Sequence, residues 1–157
     1  MTSQECGEMN EMNGVRQAQD ELIPLSPEIE MSIRKRMDTI PIFRTLGFSE
    51  VHLGRGSFES IVPRKSEYDG IFECFHGGLL MTIADSAAAI AVLTVCGSES
   101  RIATTDMNIR FLAPTHTEVK VCARVIKAGK TLIPVSANLW DAKANLVAIA
   151  QVTYLKL

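Results

Sequence analysis

The feature that most constrains this chain is an apolar run over residues 79–96, LLMTIADSAAAIAVLTVC, interrupted by one carboxylate, Asp85. The motif HGG at residues 76–78 comes directly before it. The run is too long and too rich in alanine and leucine for a strand, so it predicts a helix. Because a helix that is apolar all round is normally enclosed by other elements, we expect the core helix of the domain.

A membrane-spanning helix is the alternative interpretation of the same run. Its 18 residues come close to the roughly 20 that a bilayer requires. However, Asp85 would then lie in hydrocarbon, no cationic flank follows the run, and the later segments alternate like strands that face water. We therefore expect no membrane association.

A short amphipathic helix is predicted upstream of the core helix. Ser26 suits an N-cap and Pro27 suits the first helical position, while Pro41 stops the helix. The apolar positions recur every three or four residues and predict one buried face: Ile29, Ile33, Met37 and Ile40.

Strands are predicted on both sides of the core helix. Two surround the break GRG at residues 54–56, and four follow Gly97, where apolar residues recur at every second position. Short connections between those four favour an antiparallel meander. The expected fold class is α+β, with a twisted antiparallel sheet wrapped around one long helix and one side of that helix left for another partner to cover.

Charge and cysteine content argue against several function classes. The net charge is −2 and no basic stripe is present, which disfavours nucleic-acid binding. The four cysteines lie far apart without a CxxC pair, so we expect reduced thiols and no metal site. The sequence thus predicts a cytoplasmic protein with a flexible tail over residues 1–24 and a single domain over residues 25–157.

Three motifs together resemble a known family. HGG is followed by Asp85 nine positions after the histidine, then by the strand TTDMNIRFLAP and the segment KAGKTLIPVSANLWD. Over residues 45–157 this combination resembles the hotdog-fold acyl-CoA thioesterases of the PaaI-like, phenylacetate-degradation type. The resemblance implies the hotdog fold, hydrolysis of acyl-CoA without a metal or a cofactor other than the CoA of the substrate, and a homodimer that often pairs into a homotetramer.

The resemblance also implies a role for each candidate site residue. The Gly77 amide would polarise the thioester carbonyl, His76 would support that hole, and Asp85 would act as general base or as nucleophile, which the sequence leaves open. Thr104 falls where the family carries a hydroxyl that orients the water, and Thr105 could substitute for it. Lys130 and Arg110 are predicted to contact the CoA phosphates because charged donors suit phosphate, and Gly78 is predicted to contact the CoA part of the substrate as well.

The spacing of Gly77 and Asp85 predicts that the site requires a second chain. The first amides of a helix are free donors at its positive end, and glycine lets a carbonyl approach closely. Asp85 lies eight residues beyond Gly77, or about 12 Å along a helix axis. One helix cannot bring both groups to the same carbon atom, whereas two antiparallel helices related by a two-fold axis can.

One departure from the family pattern and two alternative functions remain open. Family members often carry an asparagine six residues before the histidine, where this chain has Gly70, preceded by Asp69.

The apolar residues around the HGG motif suggest that the substrate carries a medium-chain or aromatic acyl group. The residues expected to line its pocket are Phe72, Phe75, Leu79, Leu80 and Met81. The alternatives are a non-catalytic acyl-CoA-binding or sensing protein of the same fold, and a hotdog dehydratase or hydratase, for which the required spacing of histidine and acid is missing.

Overall fold

Six β-strands wrap around one long helix in the part of the chain that the computed structural model describes, residues 22–157. The helices are α1 (Pro27–Asp38), α2 (Pro41–Leu46) and α3 (Gly77–Cys96), with a 3-10 turn at Ser66–Tyr68. The strands are β1 (Ser49–Gly54), β2 (Ser57–Val62), β3 (Ile102–Phe111), β4 (Val119–Val125), β5 (Leu132–Asp141) and β6 (Leu146–Lys156). The predicted tail covers residues 1–24, and its residues 1–21 lie outside the described part of the chain.

Helix α3 is the core helix that the apolar run predicts. It begins at Gly77, two residues before the run itself, and it ends at Cys96 as expected. Its length and composition alone would suit a membrane span, yet more than half of its most apolar window is buried inside the protein. One stripe of its surface is not covered by the sheet: Met81, Thr82, Asp85 and Ala89.

The antiparallel sheet has the strand order β1-β2-β4-β5-β6-β3. The predicted meander is therefore correct for β4, β5 and β6 but wrong for β3, which pairs with β6. After β3 the chain passes the N-terminal end of α3, where the Phe75 amide donates to the Thr115 carbonyl over 2.9 Å. Because β4 then pairs with β2, the sheet covers the helix from both sides and β3 becomes an edge strand.

A β-bulge in β3 changes which side chains face the helix. Thr104 is paired with Tyr154, but Asp106 is paired with Thr153, so Thr105 is the extra residue. Regular alternation back from Met107 would turn Thr105 towards the helix and Thr104 away from it. The bulge reverses this order, and Thr104 faces α3.

The N-terminal helix is confirmed, with one correction to its buried face. Ser26 caps α1, and Ile33 and Met37 are buried, but Ile29 is 43% exposed. Pro41, which was expected only to stop this helix, also occupies the first position of the short helix α2. Proline suits that position because its fixed φ matches the helix and its missing N–H has no partner there.

Candidate active site

The first turn of α3 has one amide for which the described residues provide no acceptor. The Nδ1 atom of His76, the N-cap, accepts a hydrogen bond of 2.9 Å from the Gly78 amide, and the His76 carbonyl accepts from Leu79 and Leu80. Among residues 22–157, no acceptor lies within hydrogen-bond distance of the Gly77 N–H. The helix therefore begins with a free donor at the positive end of its dipole.

An aromatic ring from the edge strand lies against Gly77. A Cβ atom added to this glycine would lie 3.2 Å from Cζ of Phe111, closer than ordinary van der Waals contact. Phe111 is 53% exposed, so its ring forms one wall of an open surface beside the free amide. Glycine at this position thus leaves room for both the ring and an approaching carbonyl group.

The Asp85 carboxylate is held by two hydroxyl groups from neighbouring strands. Its Oδ1 atom accepts hydrogen bonds from Thr104 Oγ1 at 2.9 Å and from the Tyr154 hydroxyl at 2.7 Å. Within the described residues, Oδ2 has no hydrogen-bond partner. One oxygen therefore fixes the side chain while the other is available to a water molecule or a substrate.

Tyr154 stays a neutral donor in this arrangement. It is 3% exposed, and its burial, together with the negative charge of Asp85, raises the pKa of its phenol well above the usual range for tyrosine. Tyr154 is not among the site residues predicted from the sequence. The alternation of β6 marks it as inward-facing, and a buried phenol normally requires a partner, but nothing in the spacing indicates that Asp85 is that partner.

The structure brings together only part of the predicted site in one chain. Asp85 and Thr104 are in contact, so the bulge selects Thr104 over Thr105. Gly77 and Asp85 lie on the same helix, separated by eight residues. The Gly78 amide, a predicted CoA contact, already donates to His76.

The two predicted cations lie far from one another along the sheet. Lys130 is exposed in the turn before β5, whose start pairs with the end of β6 near Tyr154. Arg110 pairs with Ile149, five residues earlier in β6, which is roughly 17 Å away along the strand. The Arg110 guanidinium donates to Asn108 Oδ1 over 2.7 Å. A single chain therefore does not gather these two cations at one phosphate group.

The five apolar residues expected to line an acyl pocket do not share a surface. Phe75 and Leu80 are each 3% exposed and belong to the core, whereas Phe72 is 81% exposed at the tip of a loop. Within one copy of the chain, the turn between Gly70 and Cys74 separates these neighbours in sequence. A cavity of about 540 Å³ lies elsewhere, between α1, α2 and β1, and touches none of the candidate site residues.

Asp69 does not replace the asparagine that the family pattern leads us to expect. Its Oδ1 atom accepts a hydrogen bond of 2.8 Å from Arg64 Nε. The same guanidinium donates to the carbonyls of Glu73 and His116. Asp69 and Arg64 therefore hold the loop that leads into α3, and the Asp69 carboxylate is committed to that ion pair.

Between residues 22 and 157, no group of three or more His, Cys, Asp or Glu side chains is arranged to hold a metal ion. Three cysteines in this range, Cys74, Cys96 and Cys122, form no disulfide bond among the described residues. The candidate site itself contains a backbone amide, a carboxylate and two hydroxyls.

Comparisons with known proteins identify the family of this chain. Residues 72–148 match a family model described as the thioesterase superfamily. Human acyl-coenzyme A thioesterase 13 is 31% identical over 109 residues, which cover 63% of this chain and 76% of that protein.

Two solved structures show the same architecture. A conserved protein from Pseudomonas aeruginosa is 26% identical with a TM-score of 0.73, over 79% of this chain and 98% of that one. The PaaI protein from the phenylacetic acid degradation operon of E. coli is 19% identical with a TM-score of 0.75, over 85% of this chain and 96% of that one.

Proposed function

Because this chain belongs to the thioesterase superfamily, has the hotdog fold and is a thioester hydrolase, we propose that it hydrolyses an acyl-CoA thioester to a free acid and CoA. The observation that carries the proposal is the presence on one helix of a free amide donor, Gly77, and of a carboxylate with one free oxygen, Asp85. Hydrolysis of a thioester needs both a donor for the developing oxyanion and a base for the attacking water.

The proposed site is shared between two copies of the chain. The two groups are about 12 Å apart along one helix, so the Gly77 amide of one copy would serve the Asp85 carboxylate of the other. Two features support this assembly. The outer edge of β3 has no strand beside it within the described residues, and Phe111 and Leu112 at its end are exposed. Pairing two such edges would join the sheets and place the uncovered stripes of two α3 helices side by side.

The chemistry follows from the hydrogen bonds at each group. Oδ2 of Asp85 accepts a proton from water, and the resulting hydroxide attacks the thioester carbonyl carbon. The oxygen that becomes negative accepts a hydrogen bond from the Gly77 amide of the other copy. The C–S bond then breaks, the CoA thiolate leaves, and the proton returns to it. Direct attack by the same Asp85 oxygen would give a mixed anhydride, which water then hydrolyses.

The acyl group that we propose is medium-chain or aromatic. The Phe111 ring lies beside the amide that would bind the carbonyl, so the first part of the acyl chain would contact an apolar wall. Contacts of Lys130 and Arg110 with CoA phosphates belong to the proposal as well, since each would come from a different copy of the chain. Cysteines without a disulfide bond among the described residues suit the reducing conditions of the cytoplasm, where we place the protein.

The decisive experiment measures thiol release over a panel of acyl-CoA substrates. The panel runs from acetyl-CoA to palmitoyl-CoA and includes phenylacetyl-CoA and crotonyl-CoA. We expect release of CoA with a maximum for medium-chain or aromatic substrates. Binding by calorimetry without release at any chain length would instead identify a non-catalytic acyl-CoA-binding protein, and loss of the crotonyl double bond would identify a hydratase. Light scattering that finds a monomer during turnover would contradict the shared site.

A further inference from the structure

We infer that Tyr154 is a positioning residue for thioester hydrolysis, because its buried hydroxyl holds the Asp85 carboxylate in the orientation from which Oδ2 activates water. This inference rests on the proposed role of Asp85. It concerns how the carboxylate is held and not whether Tyr154 touches the substrate.

The phenol makes two contacts with the same residue. The Tyr154 hydroxyl lies 2.7 Å from Oδ1 of Asp85 and 2.7 Å from the Asp85 main-chain carbonyl oxygen. A phenol has one proton, so the two acceptors share it in a three-centre hydrogen bond. The hydroxyl therefore ties the carboxylate to the backbone of its own residue, which fixes the side-chain rotamer of Asp85.

The two hydroxyls at Oδ1 differ in their exposure to water. Thr104 and Tyr154 are paired across β3 and β6, and both reach the same oxygen. Thr104 is exposed on the edge strand, so water competes for its hydrogen bond. Tyr154 is almost fully buried, and a hydrogen bond to a charged group that is shielded from water is among the stronger ones in proteins. We therefore assign the holding of the carboxylate mainly to Tyr154 and leave Thr104 available to the attacking water.

The state of the phenol suits this role and no other step of the reaction. Its raised pKa keeps it protonated, so it donates a hydrogen bond but does not take up or release a proton. Its burial behind α3 keeps it away from the surface that a substrate would contact. Loss of the hydroxyl should thus lower kcat, because Asp85 spends less time in the productive rotamer, and should leave KM almost unchanged.

The test compares two tyrosine-to-phenylalanine variants. The chain has two tyrosines, Tyr68 and Tyr154. Tyr68 is also buried, and its hydroxyl donates a hydrogen bond to the backbone carbonyl of Thr45. For Tyr154→Phe we expect kcat to fall about tenfold, which is the lower end of the effect of a hydrogen bond to a charged group, with KM within twofold of the wild type. For Tyr68→Phe we expect both parameters to stay within twofold.

The outcomes separate this inference from the proposed function. An active wild type with an unchanged kcat in Tyr154→Phe, or with equal losses in both variants, overturns the inference alone. A wild type that releases no thiol overturns the proposed function and the inference with it.

A spectroscopic measurement covers the case in which Tyr154→Phe does not fold. In the Tyr68→Phe background, 3-fluorotyrosine labels only residue 154, so one ¹⁹F resonance reports on this phenol. We expect Asp85→Asn to shift that resonance, because the substitution removes the charge that the hydroxyl contacts. A resonance that does not move overturns the contact on which the inference depends.

Discussion

The polar groups at the start of α3 and in its middle differ in their hydrogen bonding. At the start, the Gly77 N–H donates to no acceptor among the described residues. In the middle, one oxygen of Asp85 accepts two hydrogen bonds from side chains of the same chain. Asp85 belongs to the stripe of the helix that the sheet leaves uncovered, whereas Gly77 lies beside the half-exposed Phe111 ring of β3.

The difference follows from what each group has to do. A donor without a partner can bind a developing oxyanion without first breaking another hydrogen bond. A carboxylate on a helix surface would rotate freely, so it has to be anchored through one oxygen for the other to keep a fixed direction. The start of the helix should therefore be sensitive to loss of one proton donor, and the middle to loss of charge.

The largest expected effect is at the carboxylate. Asp85→Asn keeps the size of the side chain and can still accept from Tyr154 and Thr104, but the neutral amide cannot take a proton from water. We expect kcat to fall by about 10²–10⁴, the range of general base catalysis, with unchanged secondary structure by circular dichroism. A thiol-release rate within tenfold of the wild type would show that Asp85 is not the base.

The next effect tests the donor half by removing the Gly77 N–H itself. Gly77→Pro is compatible with the fold, because Gly77 is the first residue of the helix and its N–H has no acceptor among residues 22–157. His76 before it has φ −62° and ψ 128°, which suit a residue that precedes proline. We expect kcat to fall by about 10²–10³, the effect of losing one oxyanion donor. Steady-state kinetics with the best substrate of the panel measure it.

Gly77→Ala is the matched control for this variant. It adds a Cβ that crowds Phe111 but keeps the N–H. Since the half-exposed ring can move by a few tenths of an ångström, we expect a much smaller loss for alanine than for proline. Equal losses for the two variants would mean that bulk, and not the donor, explains the effect.

The third prediction tests whether the two halves work in one chain or across two. Unfolded Asp85→Asn and Gly77→Pro chains are mixed in equal amounts and refolded together. Half of the dimers are then heterodimers with one intact site of two, so about a quarter of the wild-type activity should return if the site is shared. If each chain carries a complete site, the mixture stays as inactive as its components.

The helices and strands could be predicted from the sequence, but the bulge in β3 and the long-range contacts between elements could not. The apolar run and the HGG motif predict α3 and its N-terminal amide because both depend on local composition. The choice between Thr104 and Thr105 depends on a bulge in β3, and nothing in the local alternation marks the extra residue. The pairing of β3 with β6 and the contact of Tyr154 with Asp85 are long-range, so neither follows from spacing along the chain.

The smallest effect concerns the stability that the anchored half provides. Burial and the charge of Asp85 raise the pKa of Tyr154 in the folded protein above its unfolded value of about 10. Below that pH both states carry the phenolic proton, and the contribution to stability is constant. Above it the unfolded chain loses the proton while the folded one keeps it, so this group lowers the free energy of unfolding by about 1.4 kcal/mol per pH unit.

Urea unfolding followed by the fluorescence of Trp140, the single tryptophan, measures this slope between pH 9 and about 11. Over this interval the free energy of unfolding of Tyr154→Phe should fall less steeply with pH than that of the wild type. At the upper end of the interval the difference in slope should correspond to about one bound proton per molecule. Parallel slopes in the wild type and Tyr154→Phe would mean that the phenol ionises equally in the folded and unfolded states. The Tyr154 hydroxyl would then not hold the Asp85 side chain, and the contrast between the middle of α3 and its start would be lost.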